Sequence, residues 1–329
     1  MSSEVTQRKG DAVSKSVKEE PKESTSGSPS KTKKDKEEAE DAPPKLKYGP
    51  MPRFSKQRLW SRGILITGLL VIVWYNSGKK NEQSFASFDE EITTKAMKTR
   101  CSPSLDEAVK PFPKCIPKQC GRFVVDNLFA PQEIYALKEL MERIFNEGKV
   151  EGAATVFDLQ LGIMQLEGET LDLFKLNSTK PIFQKSDQII YLNLKGKLQR
   201  LISSYFAVDH WSLYAAAPFF ITRLTRKFAK RENDEYWHPA VHQKQFKTYQ
   251  FSTVLFMSDY GTDIDGGRLI FIDGDNTNRT VDPKVGRAIA FSAGEESLHY
   301  TERVLKGTRY AITVGFTCNP KDAVADPKL

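Results

Sequence analysis

From Gly63 to Ser77 the chain runs without a charge, reading Gly-Ile-Leu-Ile-Thr-Gly-Leu-Leu-Val-Ile-Val-Trp-Tyr-Asn-Ser between Arg62 and Lys79. The run is apolar all round rather than striped and carries Trp60, Trp74 and Tyr75 near its ends. It follows a polar tail that offers nothing to pack on, so it predicts a membrane-spanning anchor over 59–78 rather than a buried core helix. Its length is near the lower end of the roughly 17 to 25 residues that a bilayer requires. The next stretch, 79–120, is polar and Pro-broken, as in Lys110-Pro111-Phe112-Pro113-Lys114, and predicts a stem. Helical periodicity begins at Ala130-Pro131, with Ile134, Leu137, Leu140, Met141, Ile144 and Phe145 on one face and Gly148 as the stop. A second helical stripe is Ile190, Leu194, Leu198, Leu201 and Tyr205. From Phe219 the period falls to two. Strands are expected at Phe219–Thr225, Phe251–Met257, Arg268–Ile272, Arg287–Phe291 and Tyr310–Phe316, with turns at Gly266-Gly267, Asp273-Gly274 and Pro283 to Gly286. Helices first and strands afterwards predict an α+β domain built on a jelly roll, a double-stranded β-helix with flanking helices. Its helical part would be 121–210 and its β core 211–329.

Composition and charge then divide the chain. The first fifty residues are Lys, Glu, Ser, Pro and Asp with hardly an aromatic, so 1–58 is expected to be a disordered tail unable to bury enough apolar surface to offset ordering. Lys45, Lys47, Arg53, Lys56, Arg58 and Arg62 precede the apolar run. Lys79 and Lys80 follow it, but with Glu82 and Asp89-Glu90-Glu91 close behind. Positive charge stays cytosolic, so the segment reads as an uncleaved signal anchor of a type II protein, with the C-terminal part in the lumen of the endoplasmic reticulum or Golgi. The net charge of +7 is not gathered into a basic face and no nucleic-acid motif accompanies it, so no nucleic-acid partner is expected.

All four cysteines, Cys101, Cys115, Cys120 and Cys318, lie after the anchor, as two disulfides in an oxidising compartment would require. The spacing leaves their pairing open. A zinc site at Cys115 and Cys120 lacks a second ligand pair at finger-like spacing. Asn177-Ser178-Thr179 and Asn278-Arg279-Thr280 are glycosylation acceptors on the same side of the anchor.

Candidate chemistry rests on four histidines and one arginine. His210, in Val208-Asp209-His210-Trp211, has the context of an ordinary structural residue. His238 and His242 precede a strand and His299 follows one, and a jelly roll brings such positions to one mouth. Two imidazoles and a carboxylate on one face of an iron ion leave room for an oxidant and a chelating co-substrate. Arg309, ten positions after His299, offers a guanidinium for the far carboxylate of a dicarboxylate.

Asp234-Glu235-Tyr236-Trp237-His238, Gly266-Gly267-Arg268, Pro283-Lys284-Val285-Gly286, Ser297-Leu298-His299 and Gly307-Thr308-Arg309-Tyr310 follow one another in an order and spacing that resembles the prolyl 4-hydroxylase type of 2-oxoglutarate- and iron-dependent oxygenases. The resemblance implies a dioxygenase that uses Fe(II), 2-oxoglutarate and ascorbate to hydroxylate a lumenal protein or peptide. His299 would be the distal iron ligand and Arg309 the 2-oxoglutarate anchor. The family's His-x-Asp pair falls on Ala240 and His242, so the implied metal set is His242 and His299, with His238 joining only if a turn at Pro239 brings it inward. On an extended strand His238 and His242 would lie about 13 Å apart. The alternative expectation is a binding module that keeps the fold while the replaced pair no longer supports iron chemistry.

Overall fold

The structure is a computed structural model that describes residues 56–77, 81–148, 152–165, 169–176, 182–327 and 329. The expected disordered tail and Asn177 fall outside these residues, except for the tail's last positions. Helix α1 (Gln57–Ser77) occupies the predicted apolar run, and its side chains from Leu59 to Tyr75 are all exposed. Among the described residues, however, no helix is long and apolar enough to cross a membrane, so the spanning segment expected at 59–78 is not shown.

The folded domain starts earlier than the composition suggests. Strands β1 (Asn81–Ala86) and β2 (Lys95–Thr99) and helix α2 (Pro103–Val109) lie within the expected stem, and both strands join sheets. The assignment of 79–120 as a stem is therefore corrected. These short polar strands gain their stability by pairing at sheet edges, a non-local contribution that local hydrophobicity does not reveal. Cys101 bonds to Cys120 and Cys115 to Cys318, so the two disulfides tie this segment to the domain's first central strand and to its C-terminal end. The second one constrains a loop of sequence separation 203 in the unfolded chain.

Next come β3 (Cys120–Val125), helix α3 (Pro131–Glu147), the hairpin strands β4 (Ala154–Asp158), β5 (Ile163–Gln165) and β6 (Thr170–Asp172), and helix α4 (Lys185–Phe206). Helix α3 begins with Pro131 in its first turn and buries Ile134, Leu137, Leu140, Met141, Ile144 and Phe145, the six residues of the predicted stripe. In α4, Leu194, Leu198 and Leu201 are buried, with Ile190 and Tyr205 packed at the margin. Region 121–210 is thus not purely helical, since β3 to β6 all belong to the large sheet.

The C-terminal part supplies β7 (Tyr214–Thr225), the single-turn helix α5 (His242–Gln245), β8 (Phe251–Phe256), β9 (Ile264–Gly266), β10 (Leu269–Ile272), β11 (Thr277–Val281), β12 (Ala288–Ser292), β13 (His299–Thr301) and β14 (Val304–Thr317). A ten-stranded sheet runs β2-β3-β12-β8-β14-β7-β4-β5-β6, with β9 attached to β14, and a four-stranded sheet runs β1-β11-β10-β13. The result is a sheet-rich, jelly-roll-like core with flanking helices. Alternation sorts the side chains. Phe123, Phe251, Leu255, Ile312 and Val314 face α3 and α4, whereas Val124, Val254, Phe256, Phe271, Ile289, Phe291 and Ala311 fill the space between the sheets. Burying each of these side chains other than Ala311 is worth about 1.5–3 kcal/mol, which makes the inter-sheet layer a rigid frame for the polar groups placed in it.

Candidate functional site

Two of the candidate histidines meet. Ala240, just upstream of α5, forms a two-way backbone bridge with His299: Ala240 N donates to His299 O at 2.8 Å and His299 N donates to Ala240 O at 3.1 Å. His299 opens β13, which pairs with β10 so that His299 lies opposite Phe271. This clamp brings the His242 and His299 rings together with Nε2 atoms 3.2 Å apart. The His299 Nδ1–H donates to Ser297 O at 2.7 Å, which leaves its Nε2 lone pair facing His242. His242 Nδ1 lies 2.9 Å from Ser252 Oγ on β8. Two facing lone pairs would repel. With only protein present, His242 therefore carries its proton on Nε2 and accepts at Nδ1 from the Ser252 hydroxyl.

The walls of this site are aromatic. Phe271 and Phe291 lie 5.3 and 5.0 Å from the His299 ring centroid, and Phe246 and Tyr249 each 5.9 Å from that of His242. In such surroundings a charged imidazole is disfavoured. Burial, reinforced by the neighbouring His299, holds His242 well below the ordinary histidine value. Burial lowers His299 to about 4, against the opposing Ser297 hydrogen bond and with Arg122 adding to the depression.

His238 is not part of the group. It is exposed and its Nε2 pairs with Glu235, three residues earlier, at 2.6 Å. The turn at Pro239 does not carry it inward, so its assignment as a metal ligand is corrected. The imidazole gains a carboxylate partner in solvent instead of being desolvated beside two other imidazoles.

The donors present do not fit the two-imidazole, one-carboxylate set. Two nitrogens bound to adjacent positions of one ion at about 2.1 Å lie roughly 3.0 Å apart, close to the separation seen here. Yet position 240 is alanine, 242 is histidine, and no group of three His, Cys, Asp or Glu side chains suited to a metal exists among the described residues. The missing carboxylate removes the anionic ligand that would offset an iron ion's charge.

The dicarboxylate anchor is better furnished. Arg309, on β14, is 3% exposed. Its Nε donates to Gly267 O at 2.8 Å and its guanidinium lies 5.3 Å from the Phe256 ring centroid. Neither Nη atom has a hydrogen-bond partner among the described residues, and no carboxylate there pairs with it. Burial lowers Arg309 to about 10, with the Tyr236 phenol opposing. Gly267 makes this contact possible, because it holds a φ of +71° and a Cβ at this position would lie 3.0 Å from Arg309 Cδ.

Sequence reasoning did not single out Ser252, the aromatic box, the Gly267 carbonyl or Arg122. Ser252 was the most detectable, as one of two adjacent hydroxyl residues, with Thr253, inside the Phe251–Phe256 run. Arg122, 1% exposed on β3, pairs with Asp273 and stacks 4.6 Å from the Phe271 centroid, behind the histidine site. Asn278 lies in β11 at 4% exposure, so its amide is closed to a glycan in the folded domain.

With this geometry in place, known proteins supply a relationship. The protein called 2-oxoglutarate and iron-dependent oxygenase domain-containing protein 3 from Xenopus tropicalis is 36% identical over 223 residues, covering 67% of this chain and 70% of that relative. This chain belongs to the same oxygenase family. The human protein of that name is 31% identical over 285 residues, covering 82% of this chain and 88% of its own length. Human prolyl 3-hydroxylase 1 is 29% identical over 154 residues, covering 42% of this chain and 20% of that relative. A solved 2OG-Fe(II) oxygenase family oxidoreductase from Burkholderia pseudomallei superposes with a TM-score of 0.42 at 12% identity, covering 70% of this chain and 98% of that one. No family model matches the chain. By its relatives' names, the oxygenase family depends on 2-oxoglutarate and iron, and this chain resembles that enzyme class.

Proposed function

We propose that this chain is a membrane-anchored, lumenal 2-oxoglutarate-binding member of the oxygenase family that acts as a binding module, because its donor set does not hold iron as the family does. The observation that carries the reading is the buried Arg309 guanidinium with both Nη atoms free of protein partners among the described residues. The rest of the side chain is buried while the Nη donors are not sealed from solvent, so an incoming dicarboxylate can reach them with two parallel hydrogen bonds. The anchor is helix α1, supported by its exposed apolar side chains and the cations on its N-terminal side. The two disulfides suit an oxidising compartment, the endoplasmic reticulum or Golgi.

The test is calorimetric titration of 2-oxoglutarate into the metal-free protein. The proposal expects saturable binding that Arg309→Met abolishes and His299→Ala leaves in place. Binding that requires added Fe(II) or Mn(II) and disappears in His299→Ala would overturn it.

A second reading, hydroxylation of a lumenal protein or peptide with iron, 2-oxoglutarate and ascorbate, is favoured by one observation, the 3.2 Å approach of the two imidazole Nε2 atoms. Succinate release from 2-oxoglutarate in the presence of Fe(II), lost in His242→Ala, would establish it.

A further inference from the structure

Trp211 is 82% exposed, and among the described residues its indole meets no ring other than that of His210, at 5.3 Å. It does not stand alone. Asp209 N donates to Lys114 O at 2.8 Å and Lys118 N to Phe206 O at 3.1 Å, so the segment that carries Trp211 is stitched along residues 114–118. On that neighbouring segment Ile116 is 49% exposed, with Lys114 and Lys118 exposed on either side of it. An indole and a branched aliphatic side chain at the surface, flanked by two long cations, form an amphipathic patch suited to the boundary between lipid headgroups and acyl chains.

The position of this patch in the fold selects its partner. Strand β1 runs parallel to β11 from the Asn81–Thr277 pair towards Val281. At its far end, the carbonyls of Ala86 and Ser87 receive Arg287, which also grips Asp126 just beyond the last residue of β3. The first residues of β1 and β3 therefore lie together at the opposite end of the sandwich, where Arg122 pairs with Asp273. Residues 114–118 immediately precede β3 at that same end. Helix α1 ends at Ser77 and β1 begins at Asn81. Four Cα steps reach at most about 14 Å. A bilayer that holds α1 is thus a permanent neighbour of the end of the domain that carries Trp211 and Ile116.

We infer that the Trp211, Ile116, Lys114 and Lys118 patch docks the domain on the surface of the bilayer that anchors it. The inference rests on the membrane-anchor reading. Docking fixes the domain's orientation, so its partners are met laterally along the membrane rather than from all sides.

The experiment uses the full chain reconstituted in phosphatidylcholine–phosphatidylserine vesicles with or without brominated acyl chains. The chain has four tryptophans. In one variant Trp60, Trp74 and Trp237 are changed to Phe, leaving Trp211; in another Trp60, Trp211 and Trp237 are changed, leaving Trp74. The inference expects Trp211 emission to shift to shorter wavelength and to be quenched by the brominated lipid, with Trp74 quenched as well. Trp74 quenched with Trp211 unaffected would overturn the docking and leave the anchor standing. Neither quenched would remove the anchor and the docking together. Hydroxyl-radical footprinting of the unaltered chain guards against a misfolded variant: Trp211 oxidation should fall in vesicles relative to detergent, and an unchanged rate would also overturn the inference.

Discussion

Of the three arginines that lie almost wholly inside the described domain, Arg287 and Arg309 are furnished in opposite ways. Arg287, 0% exposed, gives Nε to Asp126 Oδ1 at 2.7 Å and Nη2 to Asp126 Oδ2 at 3.0 Å. Its remaining donors reach the carbonyls of Ser87, Asp282 and Glu90 at 3.0, 3.1 and 2.9 Å. Arg309, nearly as buried, has one carbonyl and an aromatic face. The first cation is saturated by its own chain and ties β1, β3 and β12 together. The second keeps Nη donors that its own chain does not use and that are not sealed from solvent, an arrangement open to an anion from outside. The fold thus separates a cation that holds structure from one that waits for a ligand.

The largest effect should follow from breaking the first of these. Arg287→Met leaves the buried Asp126 carboxylate with only the Ile92 N–H and Lys284, 3.9 Å away, and should destabilise the domain by about 3–5 kcal/mol, measured by denaturant unfolding, with no rescue by 2-oxoglutarate. Acid should act at the same place. Burial alone would raise Asp126, but its hydrogen bonds with Arg287 and the Ile92 N–H outweigh that and hold it below the usual carboxylate range. Because the folded value is depressed, this contribution is present above the unfolded pKa and is lost as pH falls through the folded one.

The histidine pair sharpens the comparison next. His299 has a folded value of about 4 against an ordinary 6.5, so the unfolded chain takes up its proton first. Metal-free protein should keep its full stability above about pH 6.5 and lose roughly 3 kcal/mol as pH drops below both values. His299→Phe should flatten that slope in pH-dependent unfolding curves. Smaller still, Gly267→Ala places a Cβ against Arg309 at a positive φ and should cost about 1–2 kcal/mol while weakening 2-oxoglutarate binding. The smallest stability change belongs to Arg309→Met. Removing an unpaired buried charge should leave stability within about 1 kcal/mol of the wild type, yet the rise in melting temperature on adding 2-oxoglutarate should vanish. A loss from Arg309→Met as large as that from Arg287→Met would erase the distinction between the two arginines.

Much of the frame was legible in the chain itself. The stripe of α3 and the strands at Phe251–Phe256 and Ala288–Ser292 follow from local periodicity, because each side chain's direction is set by its own backbone. His242, His299 and Arg309 were also nameable in advance, from spacing and resemblance. The short edge strands β1 and β2 were not, since their sequence is polar and their stability comes from partners far away in the chain.

What the sequence determined by itself was the two amphipathic helices and the apolar core strands, and which residue types could serve a site. Tertiary structure alone decided that His242 meets His299 across 57 positions while His238 turns to solvent, that Gly267 holds Arg309 across 42, and which cysteines bond. The physical reason is range. Periodicity is a property of neighbouring backbone dihedrals, whereas desolvation, ion pairing and metal-ligand geometry depend on groups that come together only when the two sheets close on each other.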